Sequence, residues 1–137
     1  MSMNHDASRG NEVDCRLCIE ISDFETSLFA RTYPLVSQPI TSLDTCNLRV
    51  LIPIGPFCEG HLLVATKMHE SSFGHVPGDV LTELVGLLDK LTSLVEARYG
   101  RTIVFEHGPL SSVRPGGACL EHAHVNILPI PESFRLA

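Results

Sequence analysis

The stretch His122-Ala123-His124-Val125-Asn126-Ile127-Leu128-Pro129 leaves the chain few ways to fold. With a period of two it places His122, His124, Asn126 and Leu128 on one side of a strand. Ala123, Val125 and Ile127 then face the other way, into a core. Side chains two apart on a strand stand about 6.5–7 Å apart, close enough to serve one small site. Two imidazoles and an amide in line gain little as packing, because each needs hydrogen-bond partners wherever it is buried. The plainer alternative is a half-exposed strand whose polar face meets water. Upstream, Gly116-Gly117 permits a tight bend into the strand, with backbone N–H groups free to meet an anion.

The rest of the chain supplies a sheet and one helix for this strand. Ser27–Tyr33 and Asn47–Ile54 read as strands, the second carrying Leu48, Val50, Leu51, Ile52 and Ile54. After the Gly55-Pro56 turn, His61–Thr66 is a third strand, spaced so closely that it runs antiparallel to the one before. Pro77-Gly78-Asp79 opens a helix of about 21 residues, or about 31 Å, with Asp79 as N-cap and Gly100 past its last turn. Val80, Leu81, Leu84, Leu87, Leu88, Leu91, Leu94 and Val95 fall at three- and four-residue steps, a stripe for packing on a sheet. Arg101–Glu106 is another strand. The expected fold is α+β: a mostly antiparallel sheet of about five strands with one long helix packed on it. Residues 1–14 read as a flexible tail and 15–137 as one domain.

Charge and composition narrow the partners. The 137 residues carry a formal net charge of −6, and Lys and Arg nowhere cluster. That argues against a long nucleic acid, whose binding needs many phosphate-neutralising cations. A nucleotide or other small phosphate ester needs only a few backbone amides and one Arg. No apolar run is long enough to span a membrane, and the polar start lacks a signal peptide's apolar stretch. Five cysteines, an odd number without an export signal, fit free thiols or thiolate ligands in the cytoplasm.

Cys15-Arg16-Leu17-Cys18 has the spacing of a metal knuckle. Two thiolates this close reach one Zn2+ if two more ligands arrive from elsewhere. The alternative is a thioredoxin-like redox pair, which expects a strand before the motif and a helix after it. His69, just past the third strand, matters only if the cysteine pair recruits it.

Several motifs in order resemble the histidine-triad (HIT) superfamily. Gly60-His61-Leu62-Leu63-Val64, with Lys67 and His69, is similar to the family's earlier strand, G-H-apolar-apolar-V-x-x-K-x-H. Phe105-Glu106-His107-Gly108, Gly116-Gly117 and His122-Ala123-His124 are similar to a bacterial, zinc-bearing subgroup, with some likeness to the galactose-1-phosphate uridylyltransferase branch. The resemblance implies a HIT-like fold in which His124 attacks an α-phosphorus and carries a nucleotidyl group as a phosphoramidate. Its second ring nitrogen is then held by a backbone carbonyl, and His61 stands nearby as a fourth histidine. Gly117 and the N–H groups around Cys119 would line the phosphate pocket, with Arg114 a further phosphate contact. The resemblance also implies a structural Zn2+ on Cys15, Cys18, His69 and His122, and a homodimer.

Three departures from the pattern carry information. Asn126 replaces the third histidine, and an amide donates a hydrogen bond but delivers no proton. A phosphoanhydride, whose leaving group hardly needs that proton, is therefore the expected substrate. Pro53 stands where many members hold ribose hydroxyls with Asp, and Cys119 where many have Ser. A nucleotidyl hydrolase or transferase is the first expectation. A zinc-stabilised module that binds a nucleotide or phosphometabolite without turnover is the second. A third makes His122 and His124 ligands of one catalytic metal.

Overall fold

A computed structural model describes residues 15–36, 41–107 and 121–133. Four antiparallel strands form one sheet: β1 (Leu48–Leu51), β2 (Leu62–Thr66), β3 (Thr102–Glu106) and β4 (His124–Pro129). They lie in the order β1-β2-β4-β3, so the opening motif occupies an inner strand between β2 and β3. The expected sheet had about five strands, and the described residues give four. The missing one is Ser27–Tyr33, which is helical: α2 spans Leu28–Thr32. Ser27 caps it by accepting the Ala30 N–H at 3.1 Å. Phe29 and Tyr33, one helical turn apart, pack with ring centroids 4.9 Å apart.

The long helix α3 runs Gly78–Tyr99 and ends at Gly100, whose φ of 90° is the left-handed stop expected there. Its start differs from the expected one. Pro77 takes the N-cap position, and Asp79 lies inside the first turn, where its charge complements the helix dipole. The buried stripe is narrower than the sequence suggested. Val80, Leu84, Leu87, Leu91 and Val95 are buried, whereas Leu81 and Leu94 are exposed.

The register sorts the sheet into two faces. Val50, Val64 and Val125 are neighbours across three strands. With Leu48, Ala123 and Ile127 they pack against the buried stripe of α3. Each Val, Leu or Ile among them contributes about 1.5–3 kcal/mol when fully buried. On the opposite face Leu51, Leu63 and Ala65 pack with Leu17 of α1 (Arg16–Ser22). Ala65 pairs with His124 and Leu63 with Asn126, so both polar residues share the α1 face. Period-two alternation thus separates core from site within one strand.

The turn into β2 closes on Gly60, which has φ 87°. A Cβ there would lie 2.7 Å from the Tyr99 ring and 3.0 Å from Pro129. Gly60→Ala is expected to cost about 2–3 kcal/mol through combined strain and overlap. Urea unfolding checks this; a midpoint equal to that of the native protein would show that the turn relaxes freely. Among the described residues no helix is long and apolar enough to cross a membrane.

Candidate metal centre and active site

Cys15 and Cys18 sit at the first turn of α1. Cys15 is the N-cap, and its Sγ lies 3.5 Å from the Cys18 N–H that it faces. A helical turn therefore brings the two thiols to one side, where His69 and His122 meet them. Cys18 Sγ is 3.2 Å from His69 Nδ1 and 3.4 Å from His122 Nδ1, and Cys15 Sγ is 3.3 Å from His122 Nδ1. All four donor atoms lie within 4.8 Å of one another. A tetrahedron with Zn–S near ~2.3 Å and Zn–N near ~2.05 Å has S···N edges of about 3.5 Å. The four residues fit a metal ion of that size.

The surroundings prepare His122 for such a role. Its Nε2–H donates to the Thr66 carbonyl at 2.6 Å, leaving the Nδ1 lone pair directed at the cysteines. A ligating imidazole held by a backbone acceptor is the usual arrangement around metals. His122 is fully buried, and that burial holds its pKa below the ordinary imidazole value. The neutral ring is the form that ligates. Ala123 locks the backbone here: its N–H donates to Glu70 O at 2.6 Å, and its carbonyl accepts the Thr66 N–H at 3.2 Å.

His124 belongs to a different site. Its Nδ1–H donates to the His122 carbonyl at 2.7 Å, so its Nε2 carries the free lone pair. The ring is nearly buried, and its strand position pairs with Ala65. The cluster able to hold a metal among the described residues includes His122 and excludes His124. Cys15 and Cys18 stand in a four-residue cluster with His69 and His122, at the start of a helix.

Asn126, two residues further on, is fixed by a chain of hydrogen bonds. The Phe57 N–H donates to His61 Nδ1 at 3.2 Å. That nitrogen must accept, so the His61 proton is on Nε2, which donates to Asn126 Oδ1 at 2.9 Å. The Asn126 NH2 is then a donor of defined direction, free of acceptors among the described residues. His61 and Asn126 are both buried. No sequence spacing signals this contact, which spans 65 residues. The Thr66 carbonyl was likewise invisible beforehand, being a main-chain group. Gly117, Cys119 and Arg114, the expected phosphate contacts, lie outside the described residues.

No protein-family model matches the sequence, and no curated protein matches it significantly. Solved structures do resemble it. A HIT family member from Bacillus subtilis superposes with a TM-score of 0.65 at 12% identity, covering 90% of this chain and 80% of the other. This is the HIT fold. A HIT family hydrolase from Clostridium thermocellum shares that fold at a TM-score of 0.58 and 13% identity, with 90% and 96% of the two chains covered. A hypothetical histidine-triad nucleotide-binding protein from Sulfolobus tokodaii does so at 0.59 and 18%, covering 90% and 76%. In this HIT fold, β4 carries the alternate polar residues and β2 is its inner neighbour.

Proposed function

We propose that this chain is a HIT superfamily member that acts on the α-phosphate of a nucleotide phosphoanhydride through a nucleotidyl-His124 intermediate. What carries the reading is the bond from His124 Nδ1–H to the His122 carbonyl, which leaves Nε2 as an unprotonated nucleophile on a nearly buried ring. Nε2 attacks phosphorus, a P–N bond forms, and the P–O bond to the leaving phosphate breaks. The imidazolium created on His124 keeps its Nδ1–H on the His122 carbonyl, where the developing positive charge meets a fixed dipole. The Asn126 NH2, held by His61, donates to a phosphoryl or leaving-group oxygen. Water or a phosphate acceptor then takes the nucleotidyl group and frees His124. HIT-fold neighbours described as a hydrolase and as nucleotide-binding are consistent with this chemistry.

Cys15, Cys18, His69 and His122 would hold a structural Zn2+. A four-ligand set of two thiolates and two imidazoles leaves no open coordination position, so bound zinc supplies rigidity rather than Lewis acidity.

Binding without turnover has one observation in its favour: the Asn126 amide occupies the acid's position and provides no proton. Trapping separates the two readings. Nucleoside triphosphates, dinucleoside polyphosphates and nucleotide sugars labelled at the α-phosphorus are offered to the protein, which is then denatured at alkaline pH. Acid-labile label retained on His124 is expected. Nucleotide binding with no retained label from any of them would leave the binding module as the function.

A further inference from the structure

We propose that Glu20 and Arg16 read the hydrogen-bonding edge of the ligand's base, so that the site takes a guanine nucleotide in preference to an adenine one. The proposal names a base for the nucleotide invoked above and rests on that reading for the phosphate end of the ligand.

Glu20 is a buried acid without a hydrogen bond. Among the described residues seven polar side chains are buried. Six of them are hydrogen-bonded: Ser27, His61, Thr66, His122, His124 and Asn126. The seventh, Glu20, is 4% exposed and meets no donor among the described residues. One helical turn before it, the Nε of Arg16 is buried with no acceptor. The two side chains attract each other through space, yet no ion pair joins them. A buried donor or acceptor left unmet is costly, and a ligand that supplies both missing partners removes that cost.

The helix α1 sets this pair over the site face of the sheet. It starts at β4, where Cys15 meets His122, and ends at β1, where the Ile21 carbonyl accepts from Arg49. Between those ends Leu17 packs with Leu51, Leu63 and Ala65. Leu63 pairs with Asn126 and Ala65 with His124. At about 100° per residue, Arg16 and Glu20 fall on one side of Leu17 and Cys18 on the other. The Cys18 side faces His122, just before β4 begins. The Arg16 and Glu20 side therefore looks the opposite way along the strands, from His124 towards Asn126.

The pair matches guanine in order. Guanine presents the acceptor O6 beside two donors, N1–H and the N2 amine. Arg16 Nε–H supplies the donor for O6, and the two Glu20 oxygens supply the acceptors. Adenine presents the reverse, its N6 amine beside the acceptor N1, which sets donor against donor and acceptor against acceptor. Hypoxanthine keeps O6 and N1–H and lacks the N2 amine.

Isothermal titration of the full chain with GMP, IMP and AMP reads the two contacts separately. GMP is expected to bind about 10-fold or more tightly than AMP, with IMP between them. Glu20→Gln should abolish the preference for GMP over IMP, because an amide no longer offers two acceptors. Arg16→Met should weaken GMP and IMP alike and leave their ratio as in the native protein, since O6 is common to both. Equal GMP and IMP affinities in the native protein, a native ratio in Glu20→Gln, or no binding of any of the three overturns the assignment. Where circular dichroism shows that Glu20→Gln does not fold, the native GMP-to-IMP ratio decides. The two proposals fail separately. Label on His124 with equal GMP and IMP affinities removes the base reading alone. A Glu20-dependent GMP preference without label removes the covalent intermediate alone.

Discussion

His124→Ala is expected to lower α-phosphoryl turnover by about 10⁴-fold or more, the loss typical when a covalent nucleophile is deleted. The two histidines nearest to it, His61 and His122, offer no free ring nitrogen in its place. His61 uses both nitrogens, on Phe57 and Asn126, and His122 uses its own on Thr66 and the cysteine cluster. The fold should survive, because the missing ring faces the site side of β4 while Val125 and Ile127 keep the core contacts with α3. Metal content should survive also, since His124 lies outside the four-residue cluster. Steady-state rates, circular dichroism and elemental analysis on one preparation check all three. Activity within tenfold of the native protein would remove His124 as the nucleophile.

The second large effect concerns the metal centre. Cys18 is within 3.2 Å and 3.4 Å of the two histidine nitrogens, so it is the cysteine that touches both imidazoles of the cluster. Cys18→Ser should reduce bound zinc from about one per chain to near zero. It should also destabilise the protein by about 3 kcal/mol or more, because metal binding to a preformed set contributes directly to folding. Alongside that loss, α1 would be left on the sheet by little more than Leu17, Ile21 and the bond from Arg49 to the Ile21 carbonyl. Elemental analysis and urea unfolding report the two effects. Equal zinc content in the variant and the native protein would show that these four residues are not the ligands.

Much of the site was legible because β4 exposes its chemistry with a fixed period. His124 and Asn126 alternate with Val125 and Ile127, so any strand places the first pair away from the second. The Cys15–Cys18 spacing was equally informative, since it brings two thiols to one side whether the backbone is a knuckle or, as found, a helical turn. What selected His69 and His122 as their companions was resemblance rather than spacing. Ser27–Tyr33 misled for a physical reason. A five-residue helix is too short to display a 3.6-residue period, and its identity rests on the Ser27 cap and the packing of Phe29 between Phe24 and Tyr33. Asp79 misled because a good capping side chain can also serve inside the first turn. The His61–Asn126 bond and the Thr66 acceptor depend on strand pairing, which residue types along the chain do not encode.

His122 serves two masters with two different parts of itself. Its ring belongs to the cysteine cluster, and its carbonyl orients His124. The carbonyl is present whatever side chain stands at that position, so point substitution at His122 removes the ring from the cysteine cluster yet cannot delete the acceptor. Only insertion or deletion of a residue between the two would separate them. The His124 tautomer is thereby inherited through the spacing of the chain, and is robust to drift in amino-acid identity in a way that the cysteine–histidine cluster is not.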